Sequence, residues 1–101
     1  MSEREIRTLN DKSGYKVGEA EYLNGKPHGI TRHWAPDGVL TLEAEMEFGE
    51  YHGKYKSWWN NGNKKEEGRF YRGKRVGLYR WYSTNGVLIQ EEDYGPGVLL
   101  R

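Results

Sequence analysis

Three sets of residues in this chain have the types and spacing to do chemistry. His28 and His52 stand 24 residues apart, in the equivalent contexts Pro27-His28-Gly29 and Tyr51-His52-Gly53, as two ligands of one metal could. Glu19, Glu43, Glu67 and Glu91 keep the same step of 24, and a pair of carboxylates could share general acid and base work. His33 and Ser57 are also 24 apart, and a hydroxyl with an imidazole beside it is the start of a nucleophile and base pair. What each set can do depends on the elements that carry it.

Those elements follow from a repeat. Gly14, Gly38, Gly62 and Gly86 are spaced by 24, as are Gly25, Gly49, Gly73 and Gly97, and Gly29, Gly53 and Gly77. Tyr22, Met46, Phe70 and Tyr94 form a bulky series, and Trp34, Trp58 and Tyr82 an aromatic one. Asp37-Gly38, Asn61-Gly62 and Asn85-Gly86 are tight-turn signals, and Asn24-Gly25-Lys26 and Arg72-Gly73-Lys74 supply a second turn in each unit. Segments such as VLTLEAEMEF and HGKYKSWW alternate and lie between glycines, too short for helices. The expected fold is all-β: a single-layer, twisted antiparallel β-meander of 24-residue hairpin repeats, with seven or eight strands. Residues 1–13 form a polar N-terminal segment; the repeat sheet covers 14–101, in units of about 14–37, 38–61, 62–85 and a partial 86–101.

A register follows if Gly49 and Glu50 are the two turn residues. Glu43 then faces Lys56, Glu19 faces Arg32 and Glu67 faces Arg80, all opposite in charge. The same register sets Tyr22 against Gly29, Met46 against Gly53 and Phe70 against Gly77, large side chains shielding glycines. It also weakens the chemical readings. Equivalent strands lie two spacings apart, about 9.6 Å, too far for His28 and His52 to share a zinc at about 2.1 Å from each. Four glutamates in a column with basic partners read as scaffold. His33 and Ser57 have no orienting acid and no nucleophile elbow. No catalytic residue, no metal and no cofactor is expected.

Composition narrows the class. The chain has 101 residues, 31% of them charged, with mean hydropathy −1.03, yet it carries 4 Trp, 8 Tyr and 2 Phe, too many aromatics for a disordered chain. Having no cysteine, it is not a disulfide scaffold. The start MSEREIRTLNDKSG lacks an apolar signal region and no run nears the ~20 residues of a membrane helix, so a soluble, cytoplasmic protein is expected. The net charge of +1 is unevenly spread: residues 37–50 hold five acids and no base, whereas residues 60–81 hold seven bases and two acids. That contrast fits salt bridges between neighbouring strands or a basic partner surface.

Tyr22-x-x-Gly25-Lys26-x-x-Gly29, Met46-x-x-Gly49-x-x-x-Gly53 and Phe70-x-x-Gly73-Lys74-x-x-Gly77, each followed by an aromatic and an Asx-Gly turn, resemble the MORN-repeat family, in particular its bacterial variant repeats, which include antitoxin-like proteins. The second copy departs, with Glu50 for Lys and Met46 for an aromatic. The resemblance implies a β-meander used for contacts with proteins or lipid and no shared catalytic residues.

Repetition separates scaffold from specialisation in the Trp58-Trp59 pair. Tyr22, Gly29, Trp34, Met46, Gly53, Trp58, Phe70, Gly77 and Tyr82 repeat and are assigned to structure. Trp59 replaces Ala35 and Ser83, and Trp81 replaces His33 and Ser57. The hairpin register sets Leu40, Leu42, Ala44, Met46, Phe48, Tyr51, Tyr55, Trp59, Phe70, Tyr79 and Trp81 on one face. The expected partner-binding residues are Tyr55, Trp59, Tyr79 and Trp81, with Arg72, Lys74 and Arg75. The expected function is a non-enzymatic protein-binding module that blocks its partner as an antitoxin or inhibitor would. The alternatives are a nucleic-acid or phosphate surface, or a lipid-headgroup or carbohydrate surface. A homo-oligomer through a sheet edge or the apolar face is a further option.

Overall fold

The computed structural model describes residues 3–96; Gly97, the last glycine of its series, lies outside them. The described residues form eight strands: β1 (Arg4–Asn10), β2 (Lys16–Leu23), β3 (Lys26–Trp34), β4 (Leu40–Glu47), β5 (Glu50–Trp58), β6 (Lys64–Tyr71), β7 (Lys74–Tyr82) and β8 (Leu88–Asp93). Every strand pairs antiparallel with its sequence neighbour, giving one open sheet in the order β1 to β8. The slab measures 42 × 40 × 13 Å, one layer thick. Residues 4–10 of the polar N-terminal segment are strand β1 on the edge of β2, so the sheet begins at Arg4 rather than at Gly14.

Two turns alternate, each for a local reason. Asn24-Gly25, Phe48-Gly49 and Arg72-Gly73 have positive φ at both residues, the type I′ geometry that matches strand twist. The turn is therefore Phe48-Gly49, one residue earlier than Gly49-Glu50. Phe48 is held at φ 49 and is 65% exposed. At the other end, Gly38, Gly62 and Gly86 donate to the carbonyls of Ala35, Trp59 and Ser83 at 2.9 Å, and the positive-φ glycine starts a bulge.

The expected charge register stands: Glu19 faces Arg32, Glu43 faces Lys56 and Glu67 faces Arg80. The earlier turn is absorbed by a bulge, with Glu45 spanning His52, Gly53 and Lys54 between the Ala44–Tyr55 and Met46–Tyr51 pairs. This overturns the glycine pairing. Met46 faces Gly29 and Phe70 faces Gly53, across the other turn, while Tyr94 donates to the Gly77 carbonyl at 2.9 Å. Glu21 covers Gly29 and Glu45 covers Gly53. The Glu45 carboxylate accepts the Lys54 amide at 2.6 Å, and a Cβ on Gly53 would collide with it.

The row Glu19, Arg32, Glu43, Lys56, Glu67, Arg80, Glu91 runs across seven strands with alternating sign. Arg32 bonds Glu43 at 2.8 Å and lies 3.7 Å from Glu19, and Arg80 bonds Glu91 at 2.6 Å. Trp34 and Tyr82 share this face, with the Lys16 and Lys64 ammonium groups 5.0 and 5.7 Å from their ring centres. Among the described residues the buried apolar side chains are only Ala35, Ala44 and Tyr79. A single sheet has no second layer to bury more.

Candidate functional site: an aromatic sheet face

The face opposite the charged row carries the aromatic residues, because β alternation sends Tyr51, Tyr55, Tyr79 and Trp81 to the side away from Lys56 and Arg80. Strand pairing brings their rings into contact. Tyr51 and Tyr55 lie 5.2 Å apart, and Phe70 lies 5.1 and 5.3 Å from them. Tyr79 continues the cluster at 5.9 Å from Phe70, 4.8 Å from Trp81 and 6.3 Å from Tyr94. Tyr79 is 0% exposed, lying over Gly68, where any Cβ would strike its ring. It forms the buried floor of the surface, around which Tyr55 and Trp81 are half-buried.

A polar group is set into the rings. The Tyr79 hydroxyl donates to Glu66 Oε1 at 2.8 Å. The Arg75 guanidinium lies 4.7 Å from the Tyr79 ring centre, 5.5 Å from Trp81 and 5.9 Å from Phe70, with Glu66 at 4.0 Å. Stacking fixes the planar fork while its side chain stays 41% exposed. Burial, with the Glu66 charge nearby, pushes the Tyr55 hydroxyl up to about 12. Burial and the bond to Glu66 push Tyr79 up as well. Both phenols therefore stay neutral across the physiological range.

The other expected contact residues lie elsewhere. Trp59 follows the end of β5, and its indole nitrogen donates to the Tyr82 carbonyl at 3.2 Å. Lys65 sits 4.7 Å from its ring centre. The ring is half-buried and ties one repeat to the next, so Trp59 has a structural task. Arg72 stands in a type I′ turn with its guanidinium 5.7 Å from the Tyr71 ring centre, and Lys74 faces Tyr71 on the side away from Arg75. Phe48 leaves the expected face for the turn, where its ring meets His28 at 4.8 Å. Leu40 also leaves, because a bulge sets it opposite Trp34. Residue types alone did not single out Glu66. The signal was there: it is an acid in the column of Gly18, Leu42 and Gln90.

The chemical pairs of the sequence are held apart. His33 and Ser57 both face Leu42, one from each side, and the buried Ser57 hydroxyl makes no hydrogen bond. His28 Nδ1 accepts the Phe48 amide at 3.3 Å and His52 Nδ1 accepts the Arg72 amide at 3.1 Å. Each histidine thus holds the turn of the following repeat. The four glutamates of the column are separated by Arg32, Lys56 and Arg80. Among the described residues no helix is long and apolar enough to cross a membrane.

Residues 51–72 and 75–94, which hold this aromatic cluster, match the MORN repeat variant. No curated protein and no solved structure matches the chain.

Proposed function

Because this chain is a member of the MORN-repeat family, a non-catalytic repeat module in general, we propose that it binds a partner protein through the aromatic face of β5 to β8 and inhibits that partner by covering it, as an antitoxin would. One observation carries this reading: a contiguous ring cluster with a stacked, part-exposed arginine lies on a sheet with no second layer. Aromatic rings and arginine are the side chains that dominate protein–protein contacts, and a pre-stacked guanidinium loses little freedom on binding. In this reading Tyr55, Trp81 and Arg75 make contact, while Tyr79 and Glu66 hold them in place.

The test is co-purification from the native host with the whole chain as bait, followed by reconstitution with the captured protein. Trp81→Ala and Arg75→Ala should each weaken that complex by tenfold or more, about 1.4 kcal/mol. Lys56→Ala, on the opposite face, should leave it intact. Loss through Lys56→Ala alone would move the site to the charged face. Capture of nucleic acid with a steep salt dependence would replace the protein reading.

A further inference from the structure

The two outer strands are open edges of opposite net charge. Among the described residues β1 pairs only with β2 and β8 only with β7, and every residue of both strands is exposed. Exposed apolar residues accompany the open backbone groups, with Ile6 at 66% and Leu9 at 65% on β1 and Ile89 at 65% on β8. Open edges of this kind are templates for another strand. The charges differ: β8 ends in Glu91, Glu92 and Asp93, whereas β1 carries Arg4 and Arg7 with one acid, Glu5.

The repeat supplies the register. β8 occupies the repeat position of β2, β4 and β6, each of which pairs on its far side with a strand of the β3, β5 or β7 kind. β1 is of that second kind, since Ile6, Arg7 and Thr8 stand 24 before Ile30, Thr31 and Arg32. The pairs Leu42–Ser57, Glu43–Lys56 and Ala44–Tyr55 become, two repeats on, Gln90, Glu91 and Glu92 against Leu9, Thr8 and Arg7 of a second copy. Glu92 has no ion-pair partner among the described residues, and Arg7 would stand directly opposite it. Like edges do not match as well. β8 against itself brings carboxylates together, which is unfavourable for pairs directly opposite.

We propose that this chain associates head to tail, β8 of one copy pairing antiparallel with β1 of the next, with Glu92 opposite Arg7. Such contact is heterologous, so it builds an open array or a ring rather than a closed two-fold dimer. It extends the sheet without covering the aromatic face, and it does not depend on what that face binds.

Charge exchange tests it on the whole chain by sedimentation velocity over a wide concentration range, with circular dichroism to confirm the sheet. The wild type should grow with concentration past the dimer. Arg7→Glu and Glu92→Arg should each weaken association by roughly tenfold. An equimolar mixture of the two variants should again grow past the dimer, the two alternating, because the unchanged Glu92 and Arg7 meet at one contact and the two exchanged charges meet at the next. A wild type that stays monomeric would overturn the proposal. So would a closed dimer sensitive to Arg7→Glu but not to Glu92→Arg, which would mean pairing of β1 with β1.

Discussion

The same backbone positions carry opposite surfaces in the first and third repeats. On β3 the face shows Pro27, Thr31 and His33; on β7 the equivalent residues are Arg75, Tyr79 and Trp81. Around Thr31, with Gly18 and Ala20 beside it, the sheet leaves a hollow of about 470 Å³. Around Tyr79, the rings of Tyr55, Phe70, Trp81 and Tyr94 fill the space. The backbone is repeated, but the face is free to differ, because no second layer imposes a shape on it. Specialisation was then possible wherever small residues made room. Gly68, where Ala20 and Ala44 stand in earlier repeats, lets Tyr79 lie down on the sheet.

The largest expected effect separates those two regions. Tyr79→Ala should destabilise by about 3–5 kcal/mol, the cost of truncating a buried aromatic, whereas Thr31→Ala should cost less than about 1 kcal/mol. Urea unfolding of both variants measures this. Equal losses would mean that the hollow is as well packed as the ring cluster.

The glycines sharpen the comparison at the next scale. Gly53 and Gly77 both have positive φ, but only Gly53 has a carboxylate folded over it. Valine at either site carries backbone strain of about 1–3 kcal/mol, and Gly53→Val should exceed Gly77→Val by about 1 kcal/mol as the Glu45–Lys54 bond is lost. Equal shifts in urea midpoint would remove Glu45 as the cause.

Gly68→Ala tests the floor itself. Within a strand, replacing Gly by Ala ordinarily stabilises by about 0.4–1 kcal/mol. Here the new methyl would push the Tyr79 ring away, and a loss of about 1–3 kcal/mol is expected. A stabilised variant would show that Tyr79 moves aside without penalty.

The smallest effect is read by ultraviolet titration. Burial raises Tyr55 and Tyr79 in the folded chain, so each contributes stability that is complete below the ordinary tyrosine value of about 10. The Tyr55 share is lost as pH rises toward about 12. Near pH 11 these two phenols should still be largely neutral. Tyr55→Phe should reduce the late-titrating absorbance, and a loss from the early-titrating absorbance instead would place Tyr55 in water.

Much of this was legible without coordinates. The 24-residue step, the Asx-Gly turns and the alternation of Glu43 with Lys56 depend on local backbone preference and on which residues face each other, and neighbouring strands make both local in sequence. Trp81 stood out because it breaks its column, Tyr55 because the register set it on the same face, and Arg75 as one of the run of bases. The errors arose where one residue of shift matters. Phe48 accepts a left-handed conformation that its type disfavours, and the Glu45 bulge restores the register, so the charge pairs came out right from a wrong turn.

What the tertiary structure alone decided was depth and company. Trp59 and Trp81 look alike as breaks in the repeat, yet one is fastened to the Tyr82 carbonyl and the other borders the ring cluster. Tyr79 and Tyr55 look alike too, sharing a column, and the absent Cβ of Gly68 on the neighbouring strand β6 lets Tyr79 sink to 0% exposure. Repetition determines which residues share a face, since that follows from period and pairing. Burial is a sum over every neighbour within reach, and on a sheet most of those neighbours come from other strands.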